Sequence, residues 1–380
     1  MIPYTQSVAS QEVPPPYHFP GVTVNAFVWE ARLDKVQAYC DRFFNLGDAS
    51  DRGFVYGPAP IWPYALLLFI DYPVMISASP TPRSVLHSMP YSDRGVIAQR
   101  EVFIAIPVIR RGLGPGRLIA DSALEWALPF IVVDEPNSAV CGREMLGLEK
   151  LRAEIQVGES SFPGSFRGQV SLPGWPELTP DVMQQMMLFL DVDTGPTVPT
   201  FRGAPTASSL WTLFRSQAAS DAIHAMATVA DSIETLSAGT MPTSMQTVSL
   251  KQFRDAQAPE TAVYQALVSC RSKYSRIQNF QFYKEEDVHI RFYENGSFAE
   301  TLRFVELPPG NPSGDAADAS RPFRPKAAYR FNASIDFDNM RTLHTFGRDP
   351  GPGRAAAPAD GDLTAPWLRP WRGLFASDET

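Results

Sequence analysis

Lys150 stands in the run Cys141-Gly142-Arg143-Glu144-Met145-Leu146-Gly147-Leu148-Glu149-Lys150-Leu151, in a chain whose basic residues are mostly arginine. Its neighbours Met145, Leu146, Leu148 and Leu151 are apolar. An ammonium group in such surroundings loses hydration, which disfavours its charged form. The neutral amine is a nucleophile towards carbonyl carbon, and a desolvated lysine is one route to Schiff-base catalysis. A lysine here has an ordinary use as well, laying its methylenes on apolar neighbours while its head group reaches water. Local composition leaves both readings open.

The other chemistry-bearing residues form weaker patterns. His18, His87, His224, His289 and His344 are scattered without metal-ligand spacing. Ser160-Ser161 lacks the context of a nucleophile elbow. Asp191-Val192-Asp193 is followed by no EF-hand loop. Gly112-Leu113-Gly114-Pro115-Gly116 runs into Arg117-Leu118, where a phosphate loop needs Gly-Lys-Ser/Thr, so it reads as a tight connection. No metal or organic cofactor is expected, because an imine-forming lysine is itself an electron sink.

Composition narrows the class. Apolar residues make up 44% and charged residues 19%, a balance suited to a globular chain with a substantial core. The net charge of −8 argues against a nucleic-acid partner, since phosphate neutralisation needs a basic surface. Three cysteines, Cys40, Cys141 and Cys270, give neither a disulfide framework nor a zinc spacing. The start Met1-Ile2-Pro3-Tyr4 lacks the basic and apolar regions of a secretory signal, and the apolar stretch from Tyr64 to Ile70 is too short to span a bilayer. A cytoplasmic protein with no membrane partner is expected, as a homo-oligomer.

The elements that position Lys150 read as mostly β. Residues 1–16 end in Pro14-Pro15-Pro16 and form an N-terminal arm. A strand is predicted over 23–30, then an amphipathic helix from Leu33, Val36, Cys40, Phe43 and Phe44. The apolar run 62–77 predicts strands buried on both faces or lining a cavity. Further strands are predicted at 99–110, 124–133, 151–157, 165–172, 245–251, 262–269, 288–293, 304–307 and 327–337, with Asp134-Glu135-Pro136-Asn137 as a turn. That cadence suggests an antiparallel β-barrel or a curved double-sheet shell with peripheral helices, an α+β protein dominated by strands. The main domain is drawn at 17–339, with a helical insertion at about 206–238 and a partly flexible tail over 340–380. The insertion carries Leu210, Leu213, Ile223, Met226, Val229, Ile233 and Leu236 at roughly helical intervals, as a lid, an oligomer contact or a helix packed on its own domain.

Glu135-Pro136, then Gly142-Arg143-Glu144, then Lys150 eight residues after the glycine resembles the signature of the acetoacetate decarboxylase family. Glu101-Val102-Phe103-Ile104-Ala105-Ile106-Pro107-Val108 resembles the family segment with a catalytic glutamate six residues before Pro-Val. Leu250-Lys251-Gln252-Phe253-Arg254-Asp255, followed by Tyr264-Gln265-Ala266-Leu267-Val268, resembles a third. The resemblance implies a β-rich shell enclosing the lysine, with Lys150 as nucleophile and Glu101 as the acid–base group. Arg143, in the signature, becomes a substrate-binding candidate. Apart from the resemblance, Glu101 has an alternative in a salt bridge to Arg100 or Arg110, and Arg143 in bracing a turn with Glu144. The implied activity is a Schiff-base lyase acting on a keto acid or related carbonyl compound, by decarboxylation or by aldol or dehydration chemistry. The alternative is a non-catalytic member that binds a small carbonyl ligand or serves as an assembly subunit.

Three positions depart from the family pattern. Leu151 stands where the best-known decarboxylases have a second lysine, Glu149 where they usually have proline, and no arginine lies near Val22 to hold a carboxylate. With Trp62, Tyr64, Phe69 and Tyr72 as aromatic surface, a larger keto acid or an aldol or dehydration reaction is expected in place of acetoacetate decarboxylation. Against this, Arg94, Arg110 or Arg111 could supply the missing guanidinium from another loop. The Gly, Pro and Ala of 349–362 leave little apolar surface to bury. Truncation after Arg348 is therefore expected to leave Lys150 reactive in borohydride trapping with carbonyl compounds. Lost trapping in a folded truncation would bring Trp367 or Trp371 into the site.

Overall fold

Extended backbone sends successive side chains to opposite faces, and that alternation arranges most of this protein. The computed structural model describes residues 13–60, 63–78, 97–114, 119–160, 162–177, 179–198, 244–293 and 325–346. The first half holds β1 (Tyr17–Glu30), α1 (Leu33–Phe43), α2 (Ala49–Arg52), β2 (Phe54–Pro58), β3 (Tyr64–Ser77), β4 (Ile97–Leu113) and β5 (Ile119–Val133). Next come α3 (Pro136–Glu144), β6 (Leu151–Arg152), β7 (Glu154–Gly158), β8 (Arg167–Gly174), β9 (Gln185–Asp193) and β10 (Thr197–Val198). The last are β11 (Ser244–Arg254), β12 (Ala262–Tyr283), β13 (His289–Phe292), β14 (Ala327–Phe337) and β15 (Arg341–Phe346).

The large sheet runs β2-β4-β3-β1-β14-β12-β11-β5-β6, with β10 and β15 both on β12. Because β4 also pairs with β5, the sheet curls back towards its own start. It is a curved shell rather than a closed barrel, since β5 meets β11 through only Thr247↔Trp126 and Val248↔Ala127. That contact and the β5–β6 contact are parallel, while the other pairings of the sheet are antiparallel, so it is mixed but mostly antiparallel. A second sheet, β13-β9-β8-β7, is antiparallel throughout.

β4 is buried on both faces over residues 101–108, as its apolar run at 102–109 requires. Val102, Ile104 and Ile106 join one apolar cluster with Leu67 and Phe69 of β3, and with Val170, Phe189 and Ile290 of the second sheet. Phe103 and Ala105 join the other, with Ile70, Tyr72, Ile131 and Phe331. Parity therefore puts Glu101 on the face of Phe103 and away from the second sheet. Phe189 helps fasten the two sheets, with ring centroids 5.2 Å from Phe130 and 5.7 Å from Phe292.

Several boundaries depart from the sequence reading. The expected turn at 134–137 is the start of α3, where Glu135 accepts from the Asn137 N–H at 2.9 Å and Pro136 opens the helix. β12 is 22 residues long where eight were expected. Arg276 (φ 51°) and Asn279 (φ 53°), together with register shifts at 275–278 and 278–281, bend it so that one strand serves several neighbours. β9, β10 and β15 were not foreseen, and β15 carries the large sheet on to Phe346. The insertion at 206–238, the strand at 304–307 and the tail from 347 lie outside the described residues. Among the described residues no helix is long and apolar enough to cross a membrane.

Phe189→Ala should lower stability by about 3–5 kcal/mol, the usual effect of removing a buried aromatic ring. The check is the urea midpoint at an unchanged denaturant slope; an unchanged midpoint would mean that Phe189 does not fasten the sheets.

Candidate functional site

Lys150 reaches the shell interior from the loop between α3 and β6, and two glycines shape that loop. After α3 the chain folds back, with the Leu148 N–H donating to the Gly142 carbonyl at 2.9 Å. The Ser249 hydroxyl donates to the Leu146 carbonyl at 3.1 Å, tying the loop to β11. Gly147 has φ +64°, and a Cβ there would lie 2.6 Å from Lys251 Cβ and 2.9 Å from its Cα. At Gly142 a Cβ would lie 2.5 Å from Lys150 Cδ and 2.8 Å from Cε. The lysine stem rests directly on that glycine, which gives the eight-residue spacing a physical reason.

Lys150 and Glu101 are 6% and 5% exposed, in the wall of a cavity of about 70 Å³. The ammonium of Lys150 donates to Glu101 Oε1 and, at 3.0 Å, to Ser138 Oγ. The Tyr72 hydroxyl donates to Glu101 Oε2 at 3.3 Å. Burial, and then the charge of Glu101, push the Tyr72 phenol well above its ordinary range, so it remains a donor. Tyr17 is also raised, mainly by burial, and its hydroxyl donates to the Val13 carbonyl at 2.5 Å. Much of the remaining wall is apolar, including Phe19, Ile70, Phe103, Ile131 and Leu148. A buried ion pair in such a setting carries a large desolvation penalty, so its presence marks a candidate functional site.

The structure brings Lys150 and Glu101 together across 49 residues of sequence. The alternative arginine partners of Glu101 are engaged elsewhere: Arg100 lies 3.7 Å from both Asp71 and Asp134, and Arg110 meets Glu125 at 2.9 Å. Arg143 does not join the site. It is exposed and absent from the cavity wall, because a helix turns about 100° per residue and α3 directs Cys141 and Gly142 inward. Its neighbour Glu144 faces Lys251 closely enough to oppose the lowering of that lysine's pKa, which burial causes. Lys251 itself stands over the rings of Phe253 and Tyr264, at 5.6 and 6.0 Å, and is not part of the wall.

The departures from the family pattern also take their places. Leu151 is 42% exposed, so a side chain at that position points away from the cavity. Val22 is fully buried in the apolar cluster on the cavity side of the sheet. Of the four aromatics expected to accommodate substrate, Tyr72 lines the cavity, Phe69 lies on the opposite face of β3, Tyr64 is off the wall and Trp62 is outside the described residues. Lys150 is the one cation among the described lining residues, and Arg94 is outside them. Ser138 and Gln99 were missed. The i, i+2 rule from Glu101 points to Gln99, and a helix assignment for 136–144 would have put Ser138 on the face of Cys141 and Gly142.

No family model matches the chain, and no curated protein does. Among solved structures, acetoacetate decarboxylase from Legionella pneumophila is similar with a TM-score of 0.47 and 10% identity, over 88% of this chain and 89% of that one. The enduracididine biosynthesis enzyme MppR complexed with pyruvate has a TM-score of 0.46 and 14% identity, over 89% of this chain and 93% of that one. At such values the likeness says nothing of side-chain chemistry.

Gly142→Ala tests the lysine's seat. In an ordinary helix interior alanine in place of glycine stabilises by about 1 kcal/mol. Here it should displace the Lys150 stem and reduce borohydride trapping of carbonyl compounds about a hundred-fold, as misplacement of a reacting group does. Equal trapping rates in folded Gly142→Ala and wild type would contradict the contact.

Proposed function

We propose that this protein is a Schiff-base-forming lyase, similar to the acetoacetate decarboxylases, that acts through Lys150 on a keto acid or related small carbonyl compound. The observation that carries the reading is the buried Lys150 amine against the Glu101 carboxylate in an apolar cavity. Resemblance of the segments around Glu101 and Lys150 to the family signature supports it.

In this reading Glu101 takes a proton from the Lys150 ammonium, and the free amine attacks the substrate carbonyl carbon. Glu101 then returns the proton to the carbinolamine hydroxyl, which leaves as water as the iminium forms. The cationic nitrogen draws in the electron pair released by loss of carbon dioxide or by carbon–carbon cleavage, giving an enamine. Protonation of the enamine carbon and hydrolysis release product and restore the amine. Ser138 and Tyr72 hold the nitrogen and the carboxylate in line for these transfers. The wall of Phe103, Ile131 and Leu148 limits water around the imine.

The cavity volume of about 70 Å³ equals the space of about five to seven water-sized groups. That favours a substrate of a few heavy atoms over the larger keto acid suggested by aromatic content.

The test is turnover on a panel of small 3-keto acids, read as carbon dioxide release, beside condensation of aldehydes with pyruvate. Lys150→Arg keeps the charge without a usable amine and should abolish both. Glu101→Gln should lower the turnover of the folded protein about 10²–10⁴-fold, the scale of an acid–base group, and also cost stability because it leaves the buried Lys150 without its carboxylate. Full turnover in the Lys150→Arg protein would overturn the reading, and a Glu101→Gln protein that turns over normally once folded would leave Glu101 with a structural role.

A further inference from the structure

Gln99 is 4% exposed and lines the same cavity as Lys150 and Glu101. Its side-chain oxygen is buried and has no hydrogen-bond partner among the described residues. Buried polar side-chain atoms are nearly always paired, so an amide left open here calls for a partner from the cavity. From this we infer that Gln99 recognises a hydroxyl group on the substrate, so that the carbonyl compound taken at Lys150 is a hydroxylated one. The inference rests on the Lys150 reading and deepens it by naming the substrate class.

Placement gives the first argument. Gln99 and Glu101 are alternate residues of β4 and share a face, about 6.6 Å apart along the strand. Gln99 lies opposite Tyr72 on β3, and Glu101 opposite Ile70. A molecule bound to Lys150 next to Glu101 therefore extends past Gln99 within a few bonds.

Chemistry gives the second. Three other polar groups of the wall are already engaged: Tyr72 donates to Glu101, Ser138 accepts from Lys150, and Tyr17 donates to the Val13 carbonyl. The open atom of Gln99 is an acceptor and needs a donor. A carboxylate or a second carbonyl only accepts, so it would pair with Gln99 only if the amide turned its nitrogen to that place. A hydroxyl donates to the amide oxygen and can accept from the amide nitrogen as well. Hydroxyl recognition by a buried amide also disfavours the deoxy analogue, which leaves the amide oxygen unpaired.

The experiment compares borohydride trapping of glyceraldehyde and of propanal on Lys150, in wild type and in Gln99→Met, by mass spectrometry of the Lys150 peptide. Methionine has similar length and no strong hydrogen-bonding group. Intrinsic reactivities of the two aldehydes cancel when the preferences of the two proteins are divided. The preference for glyceraldehyde should fall about ten- to a hundred-fold in Gln99→Met, the range for an unpaired buried group. Melting temperature should stay level or rise, because an unpartnered buried amide oxygen is lost. Equal preference in the two proteins overturns the Gln99 assignment and leaves Lys150 standing. A Gln99→Met protein that fails to fold shows a structural amide and overturns it too. No adduct on wild-type Lys150 with either aldehyde overturns the Lys150 reading and this one with it.

Discussion

A lysine ammonium and a glutamate carboxylate buried against each other dictate what surrounds them. Each ion gives up several kcal/mol of hydration on entering the interior, and only close approach with further hydrogen bonds offsets that loss. Glu101 meets the demand with Lys150 on one oxygen and the Tyr72 hydroxyl on the other. Lys150 adds Ser138 as a second acceptor. Removing either ion would strand the other, so the pair, the shell that encloses it and the glycine beneath the lysine stem form one unit. A hydrophobic pair of similar volume would pack without that penalty, which makes reactivity the more economical explanation for keeping the charges.

The shell follows from this constraint. Glu101 can face inward only if its strand is buried on both sides, one against the second sheet and one around the cavity. β4 supplies that with an unbroken apolar run, and β3 and β5 flank it on either side. Lys150 comes from outside the strands. The Glu135 cap sets the start of α3, Gly147 lets the chain reverse, and β6 pairs with β5 at Val132↔Leu151 to fix the exit. The lysine is thus held at both ends, by a helix before it and by strand pairing after it.

Much of this was legible in the sequence, and the gaps have physical causes. The spacing from Gly142 to Lys150 and the position of Glu101 before Pro107-Val108 were readable, though not that a lysine stem lies over the glycine. β14 was read to the residue, because its ends are marked by turn-forming neighbours. β12 was cut short because its bends at Arg276 and Asn279 depend on tertiary pairing, which local composition does not encode. Arg143 was read from the signature, and in the structure it is exposed and off the cavity wall, because helix geometry turns it away from Cys141 and Gly142. Of the aromatic set, Tyr72 lines the cavity and Phe69 does not, because strand alternation turns these two neighbours to opposite clusters. Ser272, Tyr274 and Ile335 line the cavity from β12 and β14, and nothing local ties them to Lys150.

The central claim is that the amine of Lys150, and no other, is the reactive centre of the cavity. Peptide mapping of the wild-type protein after borohydride reduction with pyruvate reads this directly. The account predicts one reduced adduct per chain, on the Lys150 peptide, and none on Lys251, which stands outside the cavity over Phe253 and Tyr264. An adduct on Lys251 with Lys150 unmodified, or reduction without any adduct under conditions that trap imines on free lysine, would contradict it.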